Sequence, residues 1–134
     1  MSAALLAMAV VVQSYDRFAL SNARFDAMLS PAFQSCERSD AAMNTYGTRR
    51  CISEEQVRFQ ARVASAYRAA FARLPAGNAR IRFGTLQRQW QANHRIACHR
   101  RFQGMDGTMS VISEDMCLLR ELVRRVVWLE RYGR

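Results

Sequence analysis

Leu86-Gln87-Arg88-Gln89-Trp90, then Cys98, then Gly107-Thr108-Met109 and Cys117-Leu118 form the stretch that decides how this chain folds. Phe83, Leu86, Trp90, Asn93 and Ala97 follow one another at intervals of three or four, which marks one face of a helix. That helix should run from about Ala79 to Gln103, with Phe102 near its end and Gly104 and Gly107 closing it. A further helix should begin between Thr108 and Ser113 and run to about Tyr132, on the stripe Ile112, Met116, Leu119, Val123, Val126 and Leu129. The loop between them centres near residue 107, and Cys98 and Cys117 lie almost equally far from that centre. In an antiparallel hairpin they would face each other at one level. A Cys98–Cys117 bridge would then leave Cys36 to pair with Cys51. Four cysteines allow three pairings, and a Cys51–Cys98 bridge is the main rival.

Upstream, Ser53-Glu54-Glu55-Gln56 reads as a capping box, with acidic residues suited to the positive end of the helix dipole. Ile52, Phe59, Val63, Tyr67, Phe71 and Leu74 continue as an apolar stripe, and Pro75 and Gly77 stop it. Phe18, Phe25, Met28 and Leu29 could line a short helix ended at Ser30-Pro31, because the residue before proline avoids the helical region. A second short helix is expected around Asp40 to Tyr46, with a turn at Gly47. No stretch alternates with period two. The expected fold class is all-α: a small antiparallel bundle of three main helices plus short N-terminal helices, stapled by two disulfides.

The 134 residues are enough for one domain with a real core, since half of them are hydrophobic. The formal net charge is +9, and all 20 basic residues are arginine. Such a charge draws a protein toward acidic partners or anionic surfaces. Ala3 to Val12 is apolar, too short to span a membrane but fitting for the core of a secretory signal. Residues 1–14 therefore read as a signal peptide, 15–35 as an N-terminal extension and 36–134 as the helical domain, with no transmembrane span in the mature chain. Paired cysteines in a short chain agree with an oxidising, periplasmic or secreted location.

Cys36, Cys51 just before a helix, Tyr67, Gln87-Arg88-x-Trp90, Cys98, Gly107-Thr108, Cys117-Leu118 and Arg125 together resemble the LprI-type lysozyme-inhibitor-like family of small extracytoplasmic bacterial proteins. The resemblance covers roughly residues 36 to 132. It implies an envelope protein that binds a protein partner, with lysozyme or another wall hydrolase as the best-named option. It also assigns Tyr67, Gln87, Arg88, Trp90, Gly107, Thr108, Leu118 and Arg125 to the family's structural motif. The chain departs from the usual pattern at Val63-Ala64, at His94-Arg95 (where the family usually has Arg-Asp) and at Trp128 (where it often has Glu).

Read on their own, the four cysteines are structural bridges rather than nucleophiles or ligands. His94, Cys98 and His99 could begin a zinc site, but no further ligand pattern accompanies them. Glu54-Glu55 and Glu114-Asp115 fit helix capping rather than a glycosidase pair. Trp90 belongs to the core stripe, and the family resemblance implies that Arg125 covers it in a cation–π contact. Arg49, Arg50, Arg100 and Arg101 should lie at one end of the bundle and are the candidate partner-binding residues. No aromatic-basic platform suggests nucleic acid. No cofactor or metal is expected. The sequence favours a non-enzymatic binding protein; the alternatives are a basic binder of anionic envelope material or an immunity-type partner of a secreted toxin.

Overall fold

The computed structural model describes residues 19–134. Five α-helices are present there: α1 (Asn22–Met28), α2 (Pro31–Arg38), α3 (Thr45–Arg73), α4 (Asn78–Phe102) and α5 (Thr108–Arg131). A single 3-10 turn, Asp40–Ala42, separates α2 from α3, and no strand occurs among the described residues. The segment assigned to a signal peptide lies outside the described residues, as does Phe18.

Chain-adjacent long helices run antiparallel, so α3 and α5 run in the same direction. Arg49 and Gln56 meet Asp115 early in α5, and Arg73 meets the Leu129 and Tyr132 carbonyls at its end. This parallel α3–α5 pair is the main interface of the bundle; α4 packs less extensively on α5 and touches α3 least. The sequence explains the ranking. α5 buries Leu119, Leu122, Val123, Val126, Val127, Trp128 and Leu129, whereas α4 has an interior of Phe83, Gly84, Gln87, Trp90 and Cys98. Apolar area drives packing, and α5 has the most to bury.

Both expected disulfides are formed. Cys36–Cys51 has a Cα separation of 5.7 Å and Cys98–Cys117 one of 5.8 Å. Each closes a loop of a size that restricts the unfolded chain by about 3 kcal/mol in the entropy account. The first ties α2 to α3, and the second joins α4 to α5 beside their connecting loop.

The start of the first long helix differs from the sequence reading. α3 begins at Thr45, capped by Asn44, whose side chain accepts from Gly47 N at 2.8 Å. Ser53 to Gln56 are thus inside the helix, and the expected short helix over Asp40–Tyr46 is divided between the 3-10 turn and the first turn of α3. Gly47 makes the early start feasible: a Cβ there would stand 1.4 Å from Ala41 O, so only glycine lets the 3-10 turn lie against the helix.

Glu55 has a different job from the one expected. It is 1 % exposed and lies on the apolar stripe between Ile52 and Phe59. Its carboxylate accepts from Ser30 Oγ at 2.6 Å, from Ser30 N at 3.4 Å and from Arg58 Nη2 at 3.1 Å. Ser30 is the N-cap of α2, with Pro31 at the first helical position, so Ser30-Pro31 ends one helix and starts the next. Glu55 therefore fastens the start of α2 to the middle turns of α3. Phe25, Leu29 and Phe33 then enter the same core as Phe59 and Val126.

Glu55→Ala takes the acceptor from Ser30 Oγ and N and loosens the cap of α2, and should lower stability by about 2 kcal/mol. Glu54→Ala breaks only the exposed 3.8 Å pair with Arg50, and should change stability by less than about 0.5 kcal/mol. Urea unfolding of the two variants, disulfides intact, checks the contrast; equal effects would refute the buried tether.

Candidate functional site

Arg125 is a buried charge held between two helices. It is 2 % exposed. Its guanidinium carbon lies 4.1 Å from the Trp128 ring centroid and 5.2 Å from that of Trp90. Its Nε donates to Gln87 Oε1 at 3.0 Å. The expected contact with Trp90 is present, and Trp128 comes closer still. Gln87 and Trp90 sit three apart on α4, so they present to α5 from one face. The Gln87-Arg88-x-Trp90 motif thus supplies one wall of an aromatic cage, with α5 supplying the cation and the second indole.

The remaining motif residues are spread along the bundle. Tyr67 stacks on Phe83 at 4.9 Å between centroids, and Phe83 stacks on Tyr132 at 4.5 Å. Arg88 is exposed and donates to Thr85 Oγ1 at 3.2 Å. Gly107 takes φ 89° just before α5, a left-handed conformation that disfavours other residues, and Thr108 is the first residue of that helix. Leu118 is half-buried, next to Cys117.

His94 stacks flat on Trp90, with ring centroids 4.1 Å apart and planes 4° from parallel. Its Nδ1 donates to the Trp90 carbonyl at 2.8 Å. Burial holds its pKa below the ordinary 6.5; the nearby Arg95 and Arg125 charges act the same way, while the Trp90 hydrogen bond and Glu121 oppose them. On the other side of Cys98, His99 Nδ1 lies 2.8 Å from Glu114 Oε1. Among the described residues, no three His, Cys, Asp or Glu side chains gather to hold a metal ion.

The four candidate partner-binding arginines have unequal surroundings. Arg49 Nε donates to Asp115 Oδ2 at 2.8 Å, and that bond and charge raise the Arg49 pKa. Arg50 lies 3.8 Å from Glu54. Arg100 makes no ion pair among the described residues, and Arg101 lies over the Phe102 ring at 5.8 Å. All four belong to the end of the bundle marked by the Arg49–Asp115 pair and the Cys98–Cys117 bridge. Glu114 and Asp115 lie in the second turn of α5, where they bind His99 and Arg49 rather than cap the helix. Glu55 and Trp128 were missed as site-shaping residues; the signal for Glu55 was a charge spaced three and four residues from Ile52 and Phe59 on an apolar stripe, and Trp128 lies beside the stripe of its helix.

The described residues thus define a class of small all-α bundles stapled by two disulfides, with a cation–aromatic cluster between two helices and a strongly basic composition. Within that class, the chain belongs to the family described as lysozyme inhibitor LprI, whose model matches residues 36–129. No curated protein and no solved structure matches it.

Arg125→Ala should cost about 3 kcal/mol, because a charge-assisted hydrogen bond and a desolvated cation–π contact are lost together. Gln87→Ala should cost less, and a double-mutant cycle should show a coupling of at least about 0.5 kcal/mol; additive effects would mean that the two residues do not act together. His94 supplies a pH signature. A histidine with a lowered folded pKa binds fewer protons folded than unfolded, so its contribution is complete above about 6.5 and fades as pH falls toward the folded value. His94→Phe keeps a ring on Trp90 but cannot protonate. The urea midpoint of the parent should therefore fall more steeply than that of His94→Phe between pH 7 and 5; parallel curves would contradict this.

Proposed function

We propose that this protein is an extracytoplasmic, non-enzymatic binding protein that inhibits a peptidoglycan-cleaving enzyme. The family match over residues 36–129, which begins at the first cysteine and spans all four, carries this reading. Two formed disulfides support an oxidising location. No helix among the described residues is long and apolar enough to cross a membrane.

Charge limits how such inhibition would work. A net charge of +9 opposes long-range approach to a basic enzyme. Inhibition then depends on short-range contact, with an arginine entering the enzyme's cleft and pairing with its carboxylates. Arg100 and Arg101 are the best-placed candidates, because neither makes an ion pair among the described residues, whereas Arg49 and Arg50 face Asp115 and Glu54. The same excess of unpaired arginine favours a second reading, binding of anionic envelope material.

Titration of the oxidised protein into a cell-wall lysis assay with a c-type lysozyme tests the first reading. Lysis should slow with dose, recover when the disulfides are reduced and alkylated, and recover with Arg100→Gln/Arg101→Gln. Undiminished lysis at large molar excess would refute inhibition of that enzyme. Inhibition that survives the double substitution would refute the arginine contact alone.

A further inference from the structure

α3 and α4 meet at Tyr67 and Phe83 near their connecting loop and contact one another far less than either contacts α5. The result is an open cleft of about 470 Å³ between them. Its floor includes Val63, Trp90 and Leu122, and its walls carry Arg68 from α3 with Arg88 and Arg95 from α4. Arg88, Gln91 and Arg95 follow one another at spacings of three and four, which places them along one face of α4.

No aspartate or glutamate lines this cleft. All three arginines are exposed, and none forms an ion pair among the described residues. Several acids elsewhere have partners of their own: Asp115 with Arg49, Glu55 with Arg58, Glu121 with Arg124 and Glu114 with His99. A concave surface with three like charges focuses its field into the opening.

A second observation locates the convergence point. Gly84 is buried at the cleft wall, and the position a Cβ would take there lies 3.4 Å from both Arg88 Nη1 and Tyr67 Oη. The absence of a side chain leaves a space faced by a guanidinium from α4 and a phenol from α3. Tyr67 Oη has no hydrogen-bond partner among the described residues. The aromatic surfaces, in contrast, are already engaged: Trp90 is stacked by His94 and approached by Arg125, and Tyr67 is stacked on Phe83. The cleft therefore offers hydrogen-bond donors and positive charge rather than stacking platforms. That chemistry suits an oxyanion, and arginine matches phosphate and carboxylate in two-point geometry.

We infer that the α3–α4 cleft is an oxyanion-binding site, in which Arg88 and Tyr67 grip a phosphate or carboxylate over Gly84 while Arg68 and Arg95 hold further negative charge on the same ligand. The inference rests on the second reading, an anionic envelope ligand, and gives that ligand a place distinct from the Arg100–Arg101 end.

Calorimetric titration of the full oxidised chain with inorganic phosphate, tripolyphosphate and citrate tests it, the three probes separating phosphate from carboxylate and one charged group from several. Tripolyphosphate or citrate should bind at one site, with inorganic phosphate weaker. Arg88→Gln and Arg68→Gln should each weaken binding by about fivefold or more. Arg38→Gln and Arg82→Gln remove the same charge from exposed positions outside the cleft, and should change it by less than about twofold. Gly84→Ala keeps the net charge and favours the helix, yet fills the convergence point; it should weaken binding as Arg88→Gln does while the unfolding midpoint holds or rises. Equal losses from cleft and outlying substitutions would overturn the site and leave the anionic reading standing. No saturable binding of any probe would overturn both. Binding of an acidic protein alone, with none of the small probes, would also overturn the site.

Discussion

A guanidinium removed from water is costly unless its surroundings replace what the solvent supplied. Arg125 meets that demand with two indole faces and the side-chain amide oxygen of Gln87, and this arrangement fixes how α4 sits on α5. The constraint is directional in a way that apolar packing is not. Leucine and valine contacts tolerate sliding by a fraction of a turn, but the cage needs Trp90, Gln87 and Trp128 at defined distances from a single planar cation. α4 contributes few apolar residues of its own, so the cage and the Cys98–Cys117 bridge set its register. Trp128 contributes the closer indole face, 4.1 Å from the guanidinium carbon, and holds the cation through its π surface.

The other end of the polar framework is Glu55. Its carboxylate takes donors from Ser30 and Arg58 together, and so converts a short, weakly autonomous helix into part of the core. The Cys36–Cys51 bridge acts on the same two elements, one turn away on α3. Covalent and hydrogen-bonded tethers thus coincide on α2, while Phe25, Leu29 and Phe33 add the apolar area that makes the docking favourable.

The helices and bridges were legible because their signals are local or nearly so. Stripe spacing located the three long helices, and the symmetry of Cys98 and Cys117 about residue 107 located one disulfide. The start of α3 was not legible: Ser53-x-x-Gln56 satisfies the local rule for a cap, yet Asn44 and the close approach at Gly47 let the helix begin nine residues earlier. Nor does any single-helix pattern reveal that α3 and α5 form the dominant pair, because that follows from how much apolar surface each helix has to bury. Arg125 over Trp90 could be anticipated only from the family resemblance, because no single-helix pattern places a residue of one helix on another, whereas Glu55 looked like an ordinary first-turn acid until its helix proved longer.

The unequal packing bears directly on function. Stability is concentrated in α3 and α5, whose contact is broad and apolar, and α4 is held by a few specific anchors: the aromatic cage, the Tyr67–Phe83 stack and one disulfide. A helix fastened at points rather than along its length leaves openings beside it, and on this chain those openings carry arginine. Glu54, Glu55, Asp115 and Glu121 pair with arginines of α3 and α5, and Glu114 with His99, so positive charge is left over on the arginines of α4. It falls on the α3–α4 cleft and on the end of α4. Point anchoring can tolerate such like-charge crowding because the anchors are mechanical or aromatic, and none of them depends on the arginines that face solvent. The weakly packed middle helix is therefore the element best able to present charge to a partner without weakening the core that supports it.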